Sequence, residues 1–247
     1  MTFTCDLSID EVLLIEEVGF EPVDLVMGSS YYHTGWQYAS WSQNMELADA
    51  TRMMAWARRV AMQRLMEQVQ AAGADGVVGM KLEIEREGHN AEFTAIGTAV
   101  RRRGADREKW RTPKGTPFSS DLSGSDFWAL VRAGFRPVAM VCGVCVYHVA
   151  QQTLGGWLGS LTQNQEMPAF TQALYDAREL AMGRMQYEAH EAGGAAGVVG
   201  VTVEESNHGW DSHIIEFSAL GTSILPINDP EHEVHEMPKM VLGIQDI

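Results

Sequence analysis

Cys142-Gly143-Val144-Cys145, with His148 three residues further on, is the sharpest chemical motif in the chain. Thiolates spaced C-x-x-C can chelate a soft or borderline divalent metal such as zinc, or cycle as a dithiol, and a neighbouring imidazole could supply a third ligand. The same segment reads as a strand, however, and there residues three apart point to opposite faces unless the chain kinks at Gly143. Two small buried side chains are the plainer reading. His33 and His148 each follow a tyrosine, Tyr32 or Tyr147. Their imidazoles could hold a metal or an anion in a cleft between subunits, or hydrogen-bond a carbonyl. Arg58, Arg64, Arg178 and Arg184 lie on helical stretches. Ion pairs with acids such as Glu46 and Glu166 explain them simply, and an anion site at a module interface is the sharper alternative.

No complete catalytic signature accompanies these groups. Glu83-Ile84-Glu85 and Glu204-Glu205 offer paired carboxylates without a companion nucleophile, and Gly76-Val77-Val78-Gly79 leads into a strand rather than opening a helix around a phosphate. In the tail, His232 and His235 stand among glutamates flanked by prolines, which reads as a solvated acidic segment.

Most of these candidates fall in pairs, because the chain is one module written twice. A shift of 115 lays Phe3, Asp6, Leu7 and Ser8 on Phe118, Asp121, Leu122 and Ser123, and Gly19-Phe20-Glu21-Pro22-Val23 on Gly134-Phe135-Arg136-Pro137-Val138. The shift grows to 120 at Ala57-Arg58 over Ala177-Arg178, and to 124 at Phe93, Gly97 and Thr98 over Phe217, Gly221 and Thr222. The five-residue excess falls near Leu154–Gly159. The expected division is a first module over 1–103, a linker over 104–117, a second module over 118–225 and an acidic, proline-punctuated tail over 226–247.

Each module spells the same elements. Ser8-Ile9-Asp10-Glu11 is a capping box opening a short helix that stops at Gly19, with Ser123 and Gly134 playing those parts in the second copy. A strand follows over 22–32 and 137–147. Then comes a long helix over 47–72 and 169–192, with Met54, Ala57, Ala61, Leu65, Val69 and Ala72 on one stripe. Val78, Met80, Leu82 and Ile84 alternate with charged residues as a half-buried strand, which turns at Gly88-His89-Asn90 into a partner over 92–101. The second hairpin spans 197–205 and 214–224. The predicted class is therefore α+β: two tandem two-layer modules, each a three-stranded, mainly antiparallel sheet under one long helix. A sheet this small leaves its other face and its edges in need of partners.

Composition narrows the partners. A net charge of -15 over 247 residues disfavours nucleic acid, and the one basic cluster, Arg101-Arg102-Arg103, sits where the first module ends. No apolar run approaches the ~18 residues of a membrane span, the start has no export leader, and three cysteines make no disulfide framework. A cytoplasmic protein is expected.

The step Val26-Met27-Gly28-Ser29-Ser30, Ala57-Arg58 with Ala61, the turn Gly73-Ala74-Asp75-Gly76-Val77-Val78-Gly79 and the closing Phe93-Thr94-Ala95-Ile96-Gly97-Thr98-Ala99 resemble the YbjQ-like family, labelled "putative heavy-metal-binding domain". The resemblance implies a module without established catalysis that assembles into cyclic, commonly five-fold, rings. Two-module chains would close as five chains making ten modules, or bridge rings into a larger shell. The expectation is a non-enzymatic, homo-oligomeric, self-assembling protein, with a metal ion or small ligand at module junctions. The metal candidates are Cys142, Cys145, His148 and His33, and the junction candidates are Tyr32, Tyr147, Arg58, Arg178, Arg64 and Arg184. Two alternatives stand beside it: a purely structural scaffold or shell component, its tail docking on a neighbour, and a C-x-x-C-dependent redox or metal-transfer protein.

Overall fold

Each half of the chain opens on a capped helix. In α1 (Ile9–Glu17) the Ser8 hydroxyl accepts from the Glu11 amide at 3.2 Å while Glu11 accepts from the Ser8 amide at 2.9 Å, closing the expected box. The computed structural model describes residues 3–33, 44–87, 90–149, 168–193, 196–207 and 214–227. After α1 come β1 (Phe20–His33), β2 (Met45–Glu46), α2 (Ala48–Ala71), β3 (Gly76–Glu87) and β4 (Asn90–Arg102). The second half runs through β5 (Phe118–Ser119), α3 (Gly124–Arg132), β6 (Phe135–His148), α4 (Pro168–Glu191), β7 (Gly197–Asn207) and β8 (Ile214–Pro226). Gly19 and Gly134 end the short helices at φ 83° and 82°, a left-handed cap that a side chain would strain.

The two halves repeat one topology, β1-β4-β3 and β6-β8-β7, antiparallel throughout. Met54, Ala57, Ala61, Leu65 and Val69 of α2 are buried, with only Ala72, beyond the helix end, partly exposed. The expected alternation along β3 fails at one point. Gly79 at φ 65° adds a bulge, so Val77 rather than Val78 shares a core with Met80, Leu82 and Ile84, and Val78 joins a different cluster.

Each sheet also holds a fourth strand that the sequence did not announce, and the other half supplies it. β5, at the head of the second repeat, pairs in parallel with β3, Gly76 opposite Phe118 and Val77 opposite Ser119. Beyond it the Ser120 amide donates to the Val77 carbonyl at 3.0 Å, and the Gly79 amide to that of Leu122 at 2.9 Å. In return β2 pairs with the end of β6, Met45 opposite His148 and Glu46 opposite Tyr147. Two edges are thereby covered within one chain.

Side chains continue the joint. The core beneath α2 runs on into Met140, Cys142, Val144 and Val146 of β6. A second cluster gathers Phe20, Trp110, Phe118 and Phe127, with Trp110 and Phe127 standing edge-on to Phe20 at 4.8 and 5.1 Å. Glu11 of α1 reaches across to accept from the Gly124 amide at the start of α3, at 2.9 Å. The basic cluster is spent on local contacts. Arg101 donates to the Ala72 carbonyl, Arg102 pairs with Asp106 and lies over Phe20 and Trp110, and Arg103 pairs with Glu16 and Glu21.

Candidate functional site

The outer face of β6, α4 and α2 enclose an open cleft of about 850 Å³ at the seam between the halves. Arg52, Arg58 and Glu46 line it from the first half, and Cys142, Arg184 and Glu188 from the second. Among the described residues two ion pairs cross the seam. Arg58, its side chain 5% exposed, donates from Nη2 to both Glu188 oxygens at 3.1 and 2.9 Å, and Glu188 also accepts from the Cys142 amide at 3.0 Å. Arg184 pairs with Glu46 at 2.8 Å and donates to the Val144 carbonyl at 2.8 Å.

The repeat explains the second half of this arrangement and isolates its special residue. Arg64 donates to the Ser29 carbonyl as Arg184 does to that of Val144. Gln68 accepts from the Met27 amide at 3.1 Å, in the place where Glu188 accepts from Cys142. Only the second copy carries the carboxylate. Glu188 escaped the sequence reading for that reason: comparison of copies favours shared residues, and Gln68 is not acidic. Arg178, the counterpart of Arg58, is exposed and pairs with none of the described residues.

The four metal candidates do not converge. Cys142 belongs to the core shared with the first module, whereas Cys145 lies in the core beneath α4, because β6 stays extended and sends residues an odd step apart to opposite faces. Burial pushes both thiols up to about 11. A metal would have to displace protons from two groups that hold them tightly, on opposite faces of one strand. His148 is buried where β2 joins β6, while His33 belongs to the other sheet, its Nδ1 2.8 Å from Asn90 Oδ1. Tyr147 donates to Asp176 at 3.4 Å, and Tyr32 packs against Phe93. Among the described residues no three His, Cys, Asp or Glu side chains are grouped to hold a metal ion. Glu166, the loop 154–159 and the tail with His232 and His235 lie outside the described residues.

The burial makes a direct prediction. At pH 8 a thiol of pKa about 11 is about one part in a thousand thiolate. A disulfide reagent should therefore leave Cys142 and Cys145 of the folded protein unreacted over minutes, and modify all three cysteines once the chain is denatured. Fast reaction of both in the folded state would contradict this placement.

The family model described as "Putative heavy-metal-binding" matches residues 44–103 and 140–225, one segment in each repeat. The chain belongs to this family. It is also 47% identical over 226 residues to a Mycobacterium tuberculosis protein named encapsulin nanocompartment protein Rv1762c, covering 90% of this chain and 86% of that one. The family match takes in Cys142, Cys145, His148 and the four arginines but not Tyr32 or His33. The family's heavy-metal description therefore meets a C-x-x-C in this member whose thiols are protonated and turned apart. No helix among the described residues is long and apolar enough to cross a membrane.

Proposed function

We propose that this chain is a non-enzymatic building unit that associates with copies of itself and works as a scaffold or shell-associated component of a protein nanocompartment. One observation carries the reading: the seam between the two modules is itself a protein–protein interface, made by reciprocal strand donation and two crossing ion pairs. A module that joins its twin in this way can join another chain's module in the same way. The name of the mycobacterial relative supports the compartment. The cleft at the seam is the natural place for a small ligand. A redox or metal-transfer role for Cys142 and Cys145 is the weaker reading, because the two sulfurs lie in separate cores.

Native mass spectrometry of the purified protein tests this. The expected mass is a multiple of the 27.3 kDa chain, with a five-fold ring or a larger closed shell as the finer expectation. Coexpression with an encapsulin shell protein should carry the chain into the particle fraction. A single chain at micromolar concentration would overturn the proposal.

A further inference from the structure

The surfaces that the two modules hide from each other inside the chain recur, bare, at its two ends. Phe118, which heads the second module and lies against β3, is fully buried, while its counterpart Phe3 is 46% exposed. On the receiving side Met80 of β3 is 2% exposed and its counterpart Val201 of β7 is 41% exposed. The face of β6 that meets the first module buries Cys142 and Val146 to 4% and 0%, yet the matching Met27 and Tyr31 of β1 are exposed to 50% and 63%. Arg58 of α2 is buried against that face, while Arg178 of α4 is in solvent. The first module thus presents a bare β1 face and a bare leading segment, and the second presents a bare β7 edge and a bare α4 face. These are the two sides of one interface, and the covered version of it is already present in the middle of the chain.

The leading segment is set for this. Asp6 donates from its amide to Thr98 Oγ1 at 3.1 Å and Leu7 lies against Gly79, as Asp121 donates to Thr222 Oγ1 at 3.1 Å and Leu122 lies against Gly200. Each segment is pinned to its own module at the aspartate and leucine, and its first residues project beyond. In the second module those first residues are Phe118 and Ser119, which pair with β3. In the first module they are Phe3 and Thr4, and among the described residues no strand pairs with them.

We infer that copies of this chain join head to tail, with residues Phe3–Leu7 of one copy laid in parallel along the β7 edge of the next, and the α4 face of that copy covering Met27 and Tyr31 of the first. The inference rests on the self-assembly reading and names its surfaces. The contact is heterologous, so every copy offers one donor and one acceptor, and closure into a ring leaves neither open. The register follows from the seam within the chain. Gly76 opposite Phe118 becomes Gly197 opposite Phe3, and Val77 opposite Ser119 becomes Val198 opposite Thr4. Strand addition of this kind uses main-chain hydrogen bonds for affinity and alternate side chains for specificity.

A cysteine pair reads the register. In a Cys5→Ser background, Thr4→Cys combined with Val198→Cys places two thiols on neighbouring parallel strands, within disulfide reach. Mild oxidation should give a ladder of covalent dimers, trimers and higher multiples on a denaturing gel, collapsing with reductant. Either cysteine alone should give no ladder. Separately, Val201→Lys sets a charge on the exposed edge, where the fold does not need the valine, and should reduce the native mass from the assembly to one chain while leaving the melting curve of the isolated chain cooperative. An assembly that persists in Val201→Lys, together with no ladder from the cysteine pair, would overturn this interface and leave self-assembly standing. A wild-type protein that is already a single chain would remove both.

Discussion

Glu188→Ala is expected to weaken the fold by about 3 kcal/mol and lower Tm by roughly 6–12 °C. The reason is the asymmetry of its ion pair: Glu188 keeps partial contact with water, at 38% exposure, while Arg58 is sealed beneath the second module at 5%. Removing the carboxylate leaves the guanidinium charged, because arginine does not give up its proton, and buried without a counter-ion. Partial hydration on the Glu188 side holds the loss to the lower end of the range for buried pairs. The Cys142 amide loses its acceptor as well. Glu188→Gln separates the two effects, since a glutamine can still accept from that amide, as Gln68 does from Met27. It should recover the smaller part of the loss, about 1 kcal/mol. Removing the charge from both sides, Arg58→Met with Glu188→Gln, should return most of the stability. Thermal melts of the three variants decide the matter. A Glu188→Ala protein that melts with the wild type would show that this pair does not hold the seam.

How the seam is built was only partly legible in the chain. The elements were, because each has a local cause: the Ser8 box, the glycine caps at Gly19 and Gly134, the helical stripe from Met54 to Val69 and the strand alternation are properties of near neighbours. So was the duplication, which needs only identity at a fixed shift. The fourth strands were not. β2 and β5 are two residues long, too short for any periodicity, and their place is set by the edges they cover rather than by their own composition. Glycine hid a second feature. Gly79 stands in a run of strand formers, and the bulge it permits moves Val78 from one core to another without changing the apolar count of the segment. Of the candidate residues, Arg58 and Arg184 pair across the seam while their repeats Arg178 and Arg64 do not, so recurrence alone could not single them out, and Glu188, which completes the pair with Arg58, has no acidic counterpart to mark it. The C-x-x-C motif carried the opposite hazard. Its spacing is that of a chelate, but spacing on a strand is a statement about faces, and three is odd.

Gly143→Ala should be at least as damaging as the loss of Glu188, and for a purely steric reason. A methyl group on Gly143 would sit 1.8 Å from the carbonyl oxygen of Ala181 and 2.6 Å from the amide nitrogen of Met185, both backbone atoms of α4. Gly28 makes the same approach to α2, at 2.2 Å from the Ala61 carbonyl oxygen. No side chain can rotate out of the way, so the helix must lift off the strand. The layer it would leave contains Ala173, Ala177 and Ala181, small residues whose packing depends on that short distance, with the larger Met185 buried beside them. Overpacking in a core commonly costs 1–3 kcal/mol when side chains can adjust. With two backbones in conflict the loss should reach about 4 kcal/mol, opposite in sign to the usual gain of roughly 0.5–1 kcal/mol when alanine replaces glycine inside a regular element. Gly183 provides the control on the same helix. A methyl there meets nothing within 4 Å, so Gly183→Ala should raise stability by about 1 kcal/mol through helix propensity alone. Melting both variants beside the wild type reads the difference directly. If Gly143→Ala melted within a degree of the wild type, the close seating of α4 on β6, and with it the position of Arg184 and Glu188 at the seam, would be wrong.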